Sequence, residues 1–303
     1  MRMKQCLFPF ILLLVAVPCS GAENSNTLEL PRKNEPTLLL RHVSIAELEG
    51  IHCASEHYFI TASRFEDVHR AAQRLEHLFH VWQLLFAEHF KELENESVQR
   101  LHRVVIYRNQ QEYIRNLSPI EPFIGRTNGF YSESGKSTYF YSTEAKILFH
   151  EGTHQILAEH FFREKAPVFR DNFWVVEGIA AFMETLKVEE DSYKVGDILA
   201  DKLFAAKVYQ FERNYNMPIR KLTAMSAAEI QSSAEIQRIY SQSATLVHWL
   251  MFADEGRYRK NLFELLQRTY LGTAQPETLS ELTGLSYEEL DKKYLEFLKT
   301  IPD

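Results

Sequence analysis

The stretch LFHEGTHQILAEH, residues 148–160, constrains this chain more than any other. Four positions on an α-helix amount to one turn plus about 40°, so the imidazoles of His150 and His154 leave one face together. Glu151 leaves about 100° to the side. ILF stands before His150 and QIL after His154, which reads as a helix mostly inside a core. A helix that merely displayed two surface histidines would not be bounded in this way. Two imidazoles and a carboxylate inside a core need a polar partner. A metal ion held at about 2.0–2.1 Å by each ring supplies one. Glu151 is then free to reach a water beside the ion rather than the ion itself. Ser142 or Thr143 caps the helix, which is expected to run from Glu144 to about Phe162.

A catalytic metal site of this kind has three protein ligands and one open position. Two candidates for the third ligand stand in the sequence. His160 has the spacing of H-E-x-x-H-x-x-G-x-x-H, but Leu157 occupies the glycine position, where the helix would have to break and turn the chain back. Leucine favours continuation. On a continuous helix His160 lies about 240° round from His154. The better candidate is Glu177 in NFWVVEGIAAFMETL, residues 172–186, a second apolar helix interrupted by Glu177, Gly178 and Glu184. A carboxylate among Trp174, Val175, Val176 and Ile179 is costly to bury alone. Coordinating a cation removes that cost; an ion pair is the alternative. Gly178 removes a side chain where two helices have to come close.

HEGTH followed by WVVEGIAAFME resembles the zinc peptidases called gluzincins, and more narrowly a bacterial branch of the peptidase-MA-like group, over about residues 50–298. The resemblance implies an α+β, zincin-like fold and one Zn2+ ion held by His150, His154 and Glu177. It also implies Glu151 as the catalytic base that activates water for hydrolysis of peptide bonds. Two alternatives stay open: a metzincin-type peptidase using His160, and a non-catalytic zincin-like binding module of the cell envelope. An intact Glu151 favours catalysis, because a structural site has no use for a base. Thermolysin-like members carry an acidic residue four positions after the third ligand, where this chain has Ala181. Glu184 returns to nearly the same face as Glu177 and is a candidate for holding the first histidine, or a surface carboxylate. The helix in YSQSATLVHWLM, residues 240–251, resembles the family's post-catalytic helix. Tyr240 is the expected oxyanion donor, with His248 in reserve and a core tyrosine as the plain alternative.

Residues 1–22 read as a leader: a basic start, an apolar run from Cys6 to Val17, then small residues to Ala22. The expectation is an exported protein, periplasmic or secreted. Lipidation at Cys19 is the alternative, which Pro18 disfavours. Cleavage after Ala22 leaves Cys53 alone, so stability rests on the core rather than on a disulfide. The formal net charge is −7, and the leader would remove Arg2 and Lys4 as well. An acidic chain without a basic cluster is a poor partner for nucleic acid or an anionic membrane. The expected partner is a peptide or protein substrate.

Residues 23–48 read as a linker with room for one strand, 49–142 as an α/β lobe, and 143–303 as a helical lobe in which nearly everything is helix. Within the first lobe, HYFITAS (57–63) and RVVIY (103–107) read as strands and NQQEYIRNL as a short helix. Ser63 and Glu66 form a capping-box pair for a helix reaching about Phe90, with a stripe at Val68, Ala72, Leu75, Phe79, Trp82 and Phe86. Residues 129–142 read as two strands joined at Glu133-Ser134-Gly135. The second of them, 136–142, is expected to be the edge strand that pairs with an extended substrate. His52, Cys53 and His57 suggest a plain strand, and His77 and His80 a solvated helix face. Ser286 with Glu289 caps a final helix.

Overall fold

The computed structural model describes residues 27–32, 41–42, 50–90, 101–161 and 169–302. The expected leader, Cys19 and most of the expected linker lie outside them. Strands β1 (Leu28–Pro31), β2 (Arg41–His42), β3 (Ile51–Ala54) and β4 (Tyr58–Ala62) precede helix α1 (Phe65–Trp82). A wider-wound turn at Gln83–Ala87 carries α1 into α2 (Glu88–Phe90), so the helix does reach Phe90. β5 (His102–Ile106), α3 (Gln110–Leu117), β6 (Gly129–Ser132) and β7 (Ser137–Phe140) follow. Six of these strands form one sheet in the order β2-β3-β4-β5-β7-β6. β4, β5 and β7 run parallel because helical segments carry the chain back between them. β3 and β6 are antiparallel to their neighbours.

Apolar periodicity sets how α1 packs. Val68, Ala72, Leu75 and Trp82 are buried as the stripe predicts, and Ala71, Leu78 and Val81 widen it against β4 and the helix that follows β7. The expected cap does not form. α1 starts at Phe65 with Arg64 at its N-cap, which leaves Ser63 outside capping reach. Arg64 instead pairs with Asp67 at 2.7 Å.

β7 is not an edge strand. It lies between β5 and β6, because the turn after Ser132 folds Gly129–Ser132 onto its outer side. The edge on that side belongs to β6, and among the described residues no strand pairs beyond it.

The remainder is α4 (Ala145–Phe161), α5 (Phe173–Met183), β8 (Lys187–Val188), β9 (Ser192–Val195), α6 (Asp201–Phe211), α7 (Ile219–Thr223) and α8 (Ala227–Ser232). α9 (Ile236–Gly256), which breaks at Ala253–Glu255, α10 (Arg259–Tyr270), α11 (Thr278–Thr283) and α12 (Tyr287–Thr300) complete it. The β8–β9 hairpin interrupts the half expected to be helical. It forms a second sheet with β1, Leu28 facing Val195, so the expected linker, read with room for one strand, holds two: β1 here and β2 in the larger sheet. Ser286 and Glu289 make the capping box of α12 as read from the sequence. The fold is α+β. One continuous core joins β4, α1, α4, α5, α9 and α12 across residue 142. Among the described residues no helix is long and apolar enough to cross a membrane.

His77 is buried rather than on a solvated face. Its Nδ1 and that of His80 each stand 3.1 Å from the Tyr193 hydroxyl on β9, tying α1 to the small sheet. His52 and Cys53 lie on β3, where Cys53 is buried and His52 Nδ1 stands 3.0 Å from Thr61 Oγ1.

α5 is the central helix. Every residue from Phe173 to Met183 is buried, against α4 on one side and α9 on the other. Gly178 makes the second contact possible. A Cβ there would stand 2.6 Å from Val247 Cγ2 and 2.7 Å from the Ser243 carbonyl oxygen. The backbone oxygen cannot swing aside as a side chain would. Gly178→Ala should therefore destabilise the fold by about 1–3 kcal/mol, read as a lower urea midpoint. An unchanged midpoint would mean that α5 and α9 part freely.

Candidate metal centre

Helix α4 begins where Ser142 Oγ accepts the Glu144 amide at 3.1 Å; Thr143 Oγ1 instead accepts from Arg70 at 3.2 Å. From there α4 presents His150 and His154 side by side, with their Nε2 atoms 3.1 Å apart. From α5, Glu177 Oε2 stands 3.5 Å from His150 Nε2 and 3.8 Å from His154 Nε2. A four-coordinate ion with bonds of about 2.0–2.1 Å spaces its ligand atoms about 3.3 Å apart, and these three distances bracket that value. Glu177 is only 6% exposed, and among the described residues its Oε2 has no partner at hydrogen-bonding geometry. A buried acceptor left over and facing two imidazole nitrogens is what a cation would satisfy. His150, His154 and Glu177 can hold a metal ion, and no other such group occurs among the described residues.

The supporting groups come from three further positions. Glu184, at the end of α5, places Oε1 2.6 Å from His150 Nδ1. That contact fixes a proton on Nδ1 and leaves Nε2, on the Glu177 side, as the nitrogen that would bind a metal once its own proton is displaced. Lys202 on α6 holds the other Glu184 oxygen. The sequence left Glu184 between this role and the surface; its carboxylate belongs to the site. Tyr240 on α9 directs its hydroxyl at Glu177. It is therefore at the centre, beside Glu177.

Two other candidates lie elsewhere. His160 packs among the rings of Trp82, Phe90 and Phe161, with centroids at 5.1, 5.7 and 5.0 Å. His248, the reserve donor, is buried two turns further along α9, with Nε2 3.1 Å from the Gly196 carbonyl oxygen and its ring against Phe252. It packs in the core and has no place at the site.

Burial and mutual charge divide the protons within the cluster. Burial works to lower His150, but the carboxylates of Glu177 and Glu184 on its two sides outweigh that and push it up to about 10. Burial lowers His154 to about 4 against the pull of Glu177. Burial works to raise Glu177, yet His150, His154 and Tyr240 hold its carboxyl below the ordinary value. Burial pushes Glu151 up to about 7, with His150 opposing and Glu177 adding to the rise. Without a cation, the proton on His150 carries the positive charge between the two carboxylates.

Glu151 is partly exposed beneath the open edge of β6. The Tyr131 backbone points at its carboxylate and steadies the charge. Gly129 lets the strand lie this low, since a Cβ there would come within 2.7 Å of Glu151 Cγ. The sequence did not reveal Lys202, Gly129 or Tyr131 as members of the site. Each meets it through a contact between distant segments, and none has a spacing signal.

Residues 144–273 match the model of a family described as a protein of unknown function, DUF1570. The match opens just before α4, ends just after α10, and so takes in every residue of the triad together with Glu151, Glu184 and Tyr240. No curated protein matches the chain.

Three substitutions separate the ligands from their neighbours. Glu177→Ala should lose a bound divalent metal and His160→Ala should keep it. Glu184→Ala should weaken binding about 10–100-fold. Competition with a chelating dye measures all three, and metal loss in His160→Ala with retention in Glu177→Ala would reverse the ligand assignment. Binding must also displace the His150 proton, so affinity should rise with pH across the neutral range, by about tenfold per unit while one proton is released. Titrations in buffers of different ionisation enthalpy read that proton directly.

Proposed function

We propose that this chain is an exported zinc-dependent peptidase of gluzincin type. The observation that carries the reading is the convergence of His150, His154 and Glu177 beside a carboxylate, Glu151, that is not part of the triad. Zinc fits the donor set of two imidazoles and one carboxylate. When bound it supplies Lewis acidity, which polarises a carbonyl and makes water more acidic.

The rest of the chemistry belongs to the protein. Glu151 takes the proton of the attacking water and delivers it to the leaving amine. Its upward displacement by burial makes it a stronger base than an ordinary carboxylate, and a cation nearby draws that value down again. Glu184 and Lys202 keep the His150 ring in the ligating tautomer. Tyr240 supports Glu177 in the resting site and is the donor within reach of an oxyanion once a substrate carbonyl sits there. The open edge of β6 offers backbone groups for pairing with an extended peptide next to Glu151. This is the role that the sequence pattern suggested for 136–142, moved one strand outward. The resemblance of HEGTH and WVVEGIAAFME to gluzincins supports the same reading. Export rests on residues 1–22.

Zinc content and cleavage of a diverse peptide library test the proposal together. Glu151→Gln should keep the metal and lose cleavage by about 10²–10⁴-fold. Equal cleavage by both proteins, or none by zinc-loaded wild type, would favour a cleft that binds without catalysis. In the active wild type, kcat/KM should fall on acidification once Glu151 is protonated, at or below pH 7.

A further inference from the structure

Three aromatic rings stand in a row across the larger sheet, and the row ends at β6. Phe130 on β6 is paired with Tyr139 on β7, and their rings lie 6.5 Å apart and 18° from parallel. On the inner side the ring of Tyr107, one residue past β5, lies 6.3 Å from Tyr139 at 14°. All three are partly buried, on the face of the sheet that carries Tyr113, Leu117 and Ile124. Side chains alternate along a strand. Gly129 and Tyr131, on either side of Phe130, therefore turn the other way, towards α4, and Gly129 lies over Glu151. Among the described residues no strand continues the row beyond β6. Stacked on Tyr139 by one face, the Phe130 ring turns its other face outward across the edge. Ile124 anchors in the same cluster the segment that leads into β6, and Ile120 and Phe123 of that segment are 60% and 64% exposed. Apolar surface thus extends into solvent on the side of the sheet that carries the rings.

A peptide strand added to β6 places one side chain directly across from Phe130, on the face that carries the rings. The residues before and after it fall opposite Gly129 and Tyr131 and face α4. A large flat side chain across from Phe130 takes both rings out of water, and an aromatic pair gains further beyond that burial. A small or charged side chain gains neither. We infer that Phe130 determines specificity in a substrate subsite for an aromatic side chain, which stacks on its outer face as the fourth ring of the row. The inference rests on the peptidase reading with strand pairing at β6, and narrows it to peptides that carry phenylalanine, tyrosine or tryptophan near the cut bond. Because Gly129 lies over Glu151, that residue stands within about two positions of the scissile bond.

The test uses the full zinc-loaded protein and peptides of one sequence in which a single phenylalanine replaces alanine at each position in turn. Mass spectrometry of the products identifies the cut bond. At one position wild type should cleave the phenylalanine peptide about tenfold or more faster in kcat/KM than the alanine peptide. Phe130→Leu keeps the apolar bulk and loses the ring, and should lower that ratio by about two- to tenfold. Phe130→Ala should bring it close to one. The ratios at the two adjoining positions, whose side chains face α4, should stay as in wild type. Each ratio is taken within one protein, so a general loss of activity cancels, and zinc content with the urea midpoint checks that each variant folds. No preference in wild type, or one that Phe130→Leu and Phe130→Ala leave unchanged, overturns the subsite and leaves the peptidase reading standing. If wild type cleaves none of the peptides, the peptidase reading fails, and anisotropy titrations of the same peptides, labelled, decide the subsite. Tighter binding of a phenylalanine peptide that Phe130→Ala abolishes supports it, and equal binding overturns it.

Discussion

Glu177 sits on α5 among neighbours that are all buried, and its Oε2 faces the Nε2 atoms of His150 and His154 on α4. Removing a carboxylate from water costs several kcal/mol even after relaxation, and a hydrophobic helix has nothing with which to offset that. The offset comes from across the α4–α5 contact, as an imidazolium in the bare protein or as a metal ion in its place. The rest of the arrangement follows from holding these two helices face to face. α9 closes on α5 at Gly178, α1 backs α4, and the sheet lies beneath both.

The same constraint orders the outer groups. His150 is engaged on both of its nitrogens, by Glu184 at Nδ1 and toward Glu177 at Nε2, so its ring has one tautomer suited to ligation. Glu184 is in turn engaged by Lys202. A chain of alternating charge thus runs from α6 through the end of α5 to α4. Among the described residues His154 has no such carboxylate on its other nitrogen, and burial keeps it neutral. The two histidines look equivalent in sequence but are not equivalent in charge.

Much of this was legible residue by residue. The pairing of His150 with His154 follows from helical pitch, and the unsuitability of His160 follows from Leu157, which lets α4 run on to Phe161. Glu177 was legible because a carboxylate in an apolar helix demands compensation. Glu184 was half legible: its place on the helix was clear but its partner was not. The edge strand was misplaced by one position, because β6 and β7 were both recognisable while their order beside β5 depends on a parallel pairing between distant segments. The β8–β9 hairpin was missed because it is short and takes its third strand, β1, from near the other end of the chain. His248 was overvalued for the same kind of reason. A histidine on an apolar helix meets its demand as well with the Gly196 carbonyl as with a substrate.

By itself the sequence determined the local chemistry: which donors share a helix face, which carboxylate needs a positive partner, and which helices are buried. These depend on pitch, side-chain polarity and the cost of burying charge, and all three act over a few residues. Tertiary structure alone decided which distant groups complete the site. It placed Lys202 behind Glu184, Tyr240 beside Glu177, and the edge strand β6 over Glu151. Those choices depend on how whole elements pack, because contacts across the core are set by shape and topology rather than by spacing along the chain.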